Sequence, residues 1–523
     1  MDTQNQLDIQ FQKQFPKNLL SNVVYLLLNL VIGLALVPFF LETLGESAYG
    51  LVPLATSLSS YVTLFIDVAN EAISRYLTID LQRGEREKAA ATFNTALFGT
   101  LAIILIAVPV VIGLASLSPV VFNIGDTAAA DVFWLFALVL GSVLIRAWGS
   151  NFMVVLFAYN RLDLRSTVNN ANLIVQLIAV ILLFTLIQPT LPFVGLSYLI
   201  AACVAFLLSI ALSKKVCPFL KISLSKFSLS HLKKILGTTF WLAILRLGVV
   251  LRNQMALIIT NIIFGTIAGT KFSLVLTWST LIVGVLGLVT TCFAPMIFSY
   301  RAKEDANGMA LFTAFSVKIV TLITALFVGL VCIFSSQLMT IWVGESYADL
   351  GLLVLITIVA SMFMVQFSCC GSITAAYIRV RVPGILYLAA GILNVGMALT
   401  FPFIGNMGVY GIALAITITT LITDALFGPV YAAHILKLPL TTFIKPAIPG
   451  YLALVILLIC GFFVTQVITV SGILQTFTAG GIIAIVYCTI LWYLILKKKD
   501  RGLILTMLPS GMAEKLPAWI KKT

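Results

Sequence analysis

Fourteen apolar segments, each long enough to cross a lipid bilayer, dominate this chain of 523 residues. A spanning helix needs about 20 mostly apolar residues, because it crosses about 30 Å of hydrocarbon. The segments lie approximately at 19–41, 50–70, 92–115, 131–157, 168–187, 193–213, 237–262, 271–298, 311–335, 350–374, 384–404, 409–433, 447–470 and 476–496. With 61% hydrophobic and 10% charged residues, the chain has too much apolar surface for a soluble core. The sequence therefore predicts an all-α polytopic membrane protein.

The Lys and Arg residues are divided unequally between the two sides of the predicted membrane. Of the 32, 27 fall in the N-terminus, the C-terminus and the connections after even-numbered segments, whereas the other connections hold one, Lys271. Because cytoplasmic loops carry the excess of Lys and Arg, we expect a multi-pass protein of the cell (cytoplasmic, inner) membrane with both termini in the cytoplasm. The first segment is expected to be an uncleaved signal anchor. The net charge of +13 then faces anionic headgroups, which argues against a nucleic-acid partner.

The sequence predicts no cofactor, metal site or catalytic residue. The eight cysteines form no CxxC pair and have no histidines at metal-ligand spacing, so we interpret them as small apolar packing residues. The chain has no Walker A or G-x-S-x-G motif, and its spans hold no paired carboxylates at mid-depth. We therefore do not expect an enzyme.

Short landmarks recur along the chain at offsets of 218 to 220 residues. The pairs are AYNR at 158–161 with AYIR at 376–379, NIGD at 123–126 with WVGE at 342–345, and Gly45 with Gly265. This spacing predicts two six-helix repeats related by a pseudo-two-fold axis along the membrane normal, plus two extra C-terminal helices. The predicted domains are an N-terminal half at 1–213, a basic cytoplasmic linker at 214–236, a C-terminal half at 237–436, and the extra helices with a cytoplasmic tail at 437–523.

The seventh segment, 237–262, carries two cations well inside its ends. An arginine near the bilayer centre costs at least about 2.5 kcal/mol on insertion scales, so it normally faces protein or a water-filled cavity. Arg246, Asn253 and Asn261 fall on one helical face, and Arg252 lies off that face. Two interpretations remain: a wet face that binds an anionic substrate, or buried arginines that pair with acids.

Other polar residues within the spans extend the candidate binding surface. Arg146 lies at the middle of the fourth span, and its repeat counterpart Met364 is apolar, so the repeated scaffold does not require this cation. Asn22 and Asn29 share a face of the first span, where interhelical hydrogen bonding is the alternative to a substrate-binding role. Lys318, near the cytoplasmic start of the ninth span, could instead extend toward the membrane surface.

Three acidic residues are candidates for ion coupling or for salt bridges. Asp424 is the only acid in the middle of a span. It could form a salt bridge with a deep arginine, or it could be a protonatable group that couples transport to an ion. Asp67, Glu71 and Arg75 follow each other at intervals of four residues, and this spacing favours a structural ladder of ion pairs.

Five motifs together carry a family resemblance over nearly the whole chain. They are LGESAYGL at 44–51, SRYL at 74–77, QRGEREKA at 82–89, LFAYNRLDLRS at 156–166 and LRNQMALIITNIIFG at 251–265. In order and spacing they resemble the polysaccharide-biosynthesis (O-antigen type) flippases of the multidrug/oligosaccharidyl-lipid/polysaccharide exporter superfamily.

The resemblance implies alternating access through a cationic central cavity. The implied substrate is an isoprenoid-pyrophosphate-linked oligosaccharide or polysaccharide precursor, moved from the inner to the outer leaflet. The implied partners are this lipid-linked oligosaccharide, membrane lipids, H+ or Na+ as antiported ions, and polysaccharide assembly proteins. By role and location only, the cavity cations correspond to Arg146, Arg246 and Arg252.

Three alternative functions stay open. A cation-coupled multidrug exporter of the same superfamily would share the fold, and a lipid II-type peptidoglycan precursor flippase would differ only in the glycan. An integral membrane glycan polymerase is the alternative from the enzyme class, although such enzymes usually carry a sizeable extracytoplasmic loop. The sequence has no such loop.

The charge distribution makes a direct prediction about topology. Reporter fusions at Glu46, Thr127 and Ser346 should report an external location, and fusions at Arg86 and Lys226 a cytoplasmic one. Paired alkaline phosphatase and green fluorescent protein fusions measure this. Opposite readings at any two of these sites would contradict the assignment.

Overall fold

The computed structural model describes residues 3–291, 293–467, 472–498 and 500–502, and within these ranges the chain is built from helices and short connections. Thirteen of the described helices are long and apolar enough to cross a membrane. The expected all-α polytopic membrane fold is thereby confirmed.

The α-helices follow one another along the chain with short connections. Their bounds are α1 Thr3–Leu44, α2 Glu46–Tyr49, α3 Leu51–Gln82, α4 Arg86–Val121, α5 Ala129–Ala158, α6 Leu162–Leu186, α7 Leu191–Val216, α8 Leu229–Thr291, α9 Ala294–Ala302, α10 Ala306–Ile333, α11 Ser335–Val343, α12 Gly351–Gln366, α13 Ser368–Ala376, α14 Arg381–Thr400, α15 Val409–Thr420, α16 Gly428–Ile435, α17 Ile448–Val467 and α18 Ile473–Ile490. Two π-helical stretches, Leu421–Phe427 and Leu491–Ile495, follow α15 and α18.

The long helix α8 accounts for the difference between fourteen predicted segments and thirteen observed helices. Its membrane-compatible part, Phe240–Gly287, covers 48 residues. Gly265 interrupts it with φ 87° and ψ −179°, a backbone conformation that glycine adopts without steric cost. This break separates the two segments that the sequence predicts at 237–262 and 271–298.

Backbone conformation repeats at the same offset as the sequence landmarks. Positive φ angles recur in the pairs Gly45 (81°) and Gly265 (87°), Gly84 (72°) and Glu304 (56°), Gly125 (56°) and Gly344 (110°), and Asn160 (55°) and Ile378 (54°). Positive φ is uncommon outside glycine, so four matched pairs at offsets of 218 to 220 residues are not expected by chance. The turns of the two repeats are therefore built alike, as the repeated sequence predicts.

Packing divides the chain into two units. The first unit holds the residues up to Thr277 together with Arg379–Thr419, and the second holds Trp278–Ile378 together with the residues from Thr420 onward. These limits follow helix packing, whereas the predicted domains follow the sequence repeat. One division groups helices by contact, and the other groups them by sequence repetition. The domain limits drawn from the repeat therefore stay a prediction.

Helix α5 occupies the centre of the first unit and packs against α3, α4 and α7. The ring of Trp148 stacks on that of Phe206 with centroids 5.2 Å apart, and Phe152 meets the edge of Phe93 at 5.6 Å. Gly149 lets α7 approach, because a Cβ there would lie 3.2 Å from the Phe206 ring. Aromatic packing thus fixes one side of α5.

Helix α10 organises the second unit by packing against α12 and α17. Gly450 of α17 lies against Thr321, where a Cβ would overlap the threonine side chain. The buried hydroxyl of Tyr487 donates a hydrogen bond of 2.8 Å to the carbonyl of Leu322, which joins α18 to α10.

The repeated turns predict a stabilising substitution at Ile378. This residue has φ 54° and is 73% exposed, so a β-branched side chain is strained there without gaining packing. Its counterpart Asn160 has φ 55°, and asparagine tolerates this conformation better. Ile378→Asn should raise stability by about 1 kcal/mol, measured as an increased Tm of the detergent-purified protein.

Ile378→Val is the matched control, because valine keeps the β-branch and should bring no gain. An unchanged or lower Tm for Ile378→Asn would contradict the strain argument.

Candidate functional site

A cavity of about 740 Å³ lies inside the first unit, bounded by α1, α3, α5, α6 and α7. Each long wall presents residues at helical spacing, three or four apart, so one face of each helix lines the space. The principal polar lining residues are Tyr25, Thr63, Asp67, Asn70, Glu71, Ser74, Arg75, Arg146, Ser150, Arg165, Asn169, Asn172 and Ser209. The face of α5 that carries Arg146 and Ser150 thus lines the cavity.

Three guanidinium groups and two carboxylates reach the cavity. Arg75, Arg146 and Arg165 are exposed there, as are Asp67 and Glu71. Within the described ranges, no nitrogen–oxygen distance of 4.0 Å or less joins any of these five side chains. The expected ladder of Asp67, Glu71 and Arg75 is therefore open in this structure, and its charged groups can reach a ligand.

Asp67 is an acid that lies among arginines of the first unit. Its carboxylate interacts with the charges of Arg246, Arg146 and Arg165, in decreasing order. Arg246, which the sequence predicts as a cavity cation, is exposed but does not contribute to the cavity lining. The site therefore combines an excess of positive charge with a resident counter-ion.

Neutral polar groups complete the walls. Asn70 and Ser150 exchange hydrogen bonds of 2.9 and 3.1 Å across α3 and α5. Asn169 and Asn172 face the cavity from α6, and Asn172 is 9% exposed. The cavity can thus offer amide and hydroxyl hydrogen bonds beside its charged groups.

The asparagines of α1 mainly hold helices together. The Oδ1 of Asn22 accepts a hydrogen bond of 2.7 Å from the Ser166 hydroxyl, and Asn18 accepts one of 3.0 Å from the main-chain N–H of Asp163 at the start of α6. Asn29 is exposed and lies outside the cavity lining. Asn22 thus forms the interhelical hydrogen bond that is the alternative to a substrate-binding role for this face of α1.

Arg252 is buried away from the cavity. It is 2% exposed, its Cζ lies 5.7 Å from the centre of the Tyr387 ring, and its Nε donates to the Oδ1 of Asn253 at 3.4 Å. Arg252 thus contacts α14 through Tyr387 and also contacts Asn253. This geometry favours a packing role for Arg252, and the substrate-binding roles of both residues stay predictions.

Lys318 is engaged in an ion pair of the second unit. Its Nζ lies 2.6 Å from the Oδ2 of Asp500, and both side chains are mostly buried, at 14% and 17% exposure. It also donates to the carbonyl of Ile495 at 3.4 Å. These contacts hold the segment after α18 against α10. They occupy the Lys318 ammonium group, which the predicted substrate contact would also need.

Asp424 lies in the π-helical stretch Leu421–Phe427. Its Oδ2 accepts a hydrogen bond of 3.0 Å from the hydroxyl of the buried Thr423. Single π-turns within α-helices are frequent at functional sites. The predicted alternatives for Asp424, ion coupling or charge pairing, both remain predictions.

The contribution of α6 is not predicted from the sequence. The predicted span begins at 168, which leaves Arg165 in the cytoplasmic connection, whereas α6 begins at Leu162. The spacing of Arg165, Asn169 and Asn172 is four and then three residues, which places them on one helical face. This periodicity is the sequence signal that marks the three residues as one polar face of a helix.

The turn between α5 and α6 carries a second polar group of residues. Arg161 donates two hydrogen bonds of 3.0 and 2.9 Å to the carboxylate of Asp163, and this bonding raises the pKa of Arg161. Burial, together with a hydrogen bond to Cys217, raises the pKa of Tyr159 to about 12. Burial likewise raises the pKa of the Cys217 thiol, so neither group ionises near neutral pH.

Comparison with known proteins identifies the fold. No protein-family model matches the chain. An uncharacterized membrane protein of Bacillus subtilis (strain 168), EpsK, is 26% identical over 498 residues, covering 94% of this chain and 97% of that protein.

Several solved transporter structures are similar in fold. The lipid II flippase MurJ in an inward closed conformation has a TM-score of 0.67 at 14% identity, covering 92% of this chain and 99% of the other. A multidrug resistance MATE family transporter of the MOP superfamily in an inward-facing conformation has a TM-score of 0.62 at 15% identity, covering 78% and 94%. The chain therefore has the polytopic membrane fold that MurJ and MATE transporters share.

Proposed function

We propose that the protein is a flippase that moves an isoprenoid-pyrophosphate-linked oligosaccharide or polysaccharide precursor from the inner to the outer leaflet of the cell membrane. The observation that carries this proposal is the cavity of the first unit, where Arg75, Arg146 and Arg165 lie among hydroxyl and amide groups. The transporter-like fold supports a carrier role.

The guanidinium groups suit a phosphate-bearing headgroup. Arginine stays charged at all relevant pH values and offers two parallel N–H donors to phosphate oxygens. A pyrophosphate cannot enter the hydrocarbon without such partners, because charge burial in an apolar medium is strongly unfavourable. Arg146 lies near the middle of α5, so it can pair with the anionic headgroup at the depth where burying an unpaired charge costs the most free energy.

Asp67 can act as the internal counter-ion of the empty cavity. Its charge interacts with Arg146, Arg165 and Arg246, which lowers the cost of holding several cations within the membrane. An arriving pyrophosphate then competes with Asp67 for the same guanidinium groups. Such competition would keep binding reversible, as release on the other side requires.

The further assignments of orientation and coupling belong to the same proposal. The distribution of Lys and Arg supports cytoplasmic termini, and substrate would then enter from the inner leaflet. Asp424 in its π-helical stretch is the proposed coupling group for H+ or Na+. The lipid II flippase MurJ among the similar folds supports a lipid-linked substrate and keeps peptidoglycan precursors open as the glycan class.

The carboxylates of the cavity support a second candidate, a cation-coupled multidrug exporter. Asp67 and Glu71 are exposed to the cavity and could bind a cationic drug, and a MATE transporter shares the fold. The three lining arginines oppose this candidate by repulsion of a cationic ligand. Binding of ethidium rather than of a polyisoprenyl pyrophosphate to the purified protein would favour the exporter.

The cavity arginines give the test of the proposed function. Arg146→Ala and Arg165→Ala should each reduce glycan export per protein molecule by at least about tenfold, because each change removes charge-assisted hydrogen bonds to phosphate worth about 1.5 to 3 kcal/mol. Lysine at either position should rescue only partly, since it keeps the charge and loses the planar pair of donors. Export is measured relative to the membrane protein level.

Arg252→Ala is the contrasting variant, because Arg252 is buried against Tyr387. Its loss should lower the protein level while the surviving molecules keep their export rate. Normal export per molecule in both Arg146→Ala and Arg165→Ala would sink the anion-cavity proposal.

A further inference from the structure

The cavity wall formed by α6 changes from charged to neutral along the helix. Arg165, Asn169 and Asn172 follow one another on the cavity face and together cover about 10 Å at 1.5 Å per residue. Asn172 is nine-tenths buried, and neither amide forms a hydrogen bond with any other described residue. Both side chains line the cavity without a hydrogen-bond partner among the described residues, so their amide groups are available to a polar ligand that enters it.

Glu71 faces the same space from α3. Its carboxylate is exposed to the cavity and forms no ion pair with the described residues. A carboxylate can accept hydrogen bonds from two adjacent hydroxyls, while an amide donates and accepts at once. Sugar hydroxyls, which are both donors and acceptors, match this combination of groups.

We propose that Asn169, Asn172 and Glu71 form the subsite that recognises the first sugar of the lipid-linked glycan, directly beside the arginines that bind its pyrophosphate. This inference rests on the proposed flippase function and adds to it a source of selectivity. The phosphates supply most of the affinity, and the subsite distinguishes a glycosylated carrier from a bare one.

The test compares two probes on the full-length protein in detergent: polyisoprenyl pyrophosphate, and the same lipid carrying one N-acetylglucosamine. The wild type should bind the glycosylated lipid more tightly. Asn172→Leu, which keeps the side-chain size and removes the hydrogen bonds, should reduce that preference by about tenfold. Its affinity for the bare lipid should stay unchanged.

Asn170→Leu is the matched control, because Asn170 lies on the same helix and outside the cavity lining. It should leave both affinities unchanged, and Asn169→Leu provides a second variant of the subsite. Equal affinity of the wild type for the two lipids, or an intact preference in both subsite variants, would overturn the subsite. Failure of the wild type to bind either lipid would instead contradict the proposed function, and the subsite with it.

A second, independent inference comes from a polar cluster at the opposite end of the first unit. The hydroxyls of Ser47 and Thr266 lie 2.9 Å apart, and the Thr270 hydroxyl donates to the carbonyl of Glu46 at 2.7 Å. The side chain of Asn261 makes two hydrogen bonds of 3.1 Å with the main chain of Asn123. We call these six residues the end cluster, and they join α2 and the connection between α4 and α5 to α8.

Two contacts at the end cluster join residues that are equivalent in the two repeats. Ser47 and Thr266 are separated by 219 residues, the offset of the repeated landmarks. Gly50 and Thr270, 220 residues apart, also touch, and a Cβ on Gly50 would overlap the Thr270 hydroxyl. Contacts between equivalent residues are the mark of a two-fold axis.

The end cluster lies beyond the end of α3 that is remote from the cavity, because α3 begins at Leu51, directly after the cluster residues of α2. The first cavity residue of α3, Thr63, lies about 18 Å along the helix from its start at Leu51. We infer that the end cluster is a latch that closes this end of the first unit while the cavity is accessible from the other. Opening of the closed end then requires these hydrogen bonds to break.

The latch is tested by accessibility, which does not depend on the identity of the substrate. A Met153→Cys reporter in the cavity lining is labelled with a membrane-impermeant maleimide from either side of proteoliposomes. The same protein without the reporter gives the background. Ser47→Ala with Thr270→Val should increase labelling from the latch side by about tenfold, because two hydrogen bonds of the closed state are lost.

Thr260→Val is the matched control, since the Thr260 hydroxyl bonds within α8 to the Ala256 carbonyl. It should leave the labelling unchanged. Unchanged labelling from the latch side in the double variant would overturn the latch.

Discussion

The cost of placing charge in a bilayer governs this structure. Three arginines lie around one cavity, and Arg146, near the middle of its helix, cannot face lipid without a penalty of at least about 2.5 kcal/mol. The position of Arg146 therefore requires a space that water or a polar ligand can enter. The first unit provides that space between α1, α3, α5, α6 and α7.

The two sides of α5 show how the chain meets this requirement. On one side, Trp148 and Phe152 pack with Phe206 and Phe93 and fix the position of the helix. On the other side, Arg146 and Ser150 face the cavity. Because these aromatic contacts position α5, Arg146 and Ser150 are held at the cavity without ion pairs among the described lining residues. Charged groups that are positioned but unpaired are suited to bind a ligand and release it again.

The sequence predicted the features that depend on local patterns. Hydropathy gave the membrane helices, the offset of 218 to 220 residues gave the repeated turns, and the unfavourable depth of Arg146 identified a residue that does line the cavity. Features that depend on a distant partner could not be read in the same way. The pairing of Lys318 with Asp500, the burial of Arg252 against Tyr387 and the bond of Asn22 to Ser166 each join residues from different helices. Arg165 was missed for a local reason, because an error of a few residues at the start of α6 moved it from helix to loop.

The central claim, transport of a pyrophosphate-linked glycan lipid, is tested most directly by reconstitution. Purified protein is placed in liposomes with a fluorescent polyisoprenyl pyrophosphate carrying N-acetylglucosamine, and transbilayer movement is followed by membrane-impermeant quenching of the dye. The account predicts that movement depends on the protein and is inhibited by excess unlabelled lipid of the same headgroup. Movement at the rate of protein-free liposomes, with the protein folded and each of H+ and Na+ gradients supplied in turn, would contradict it.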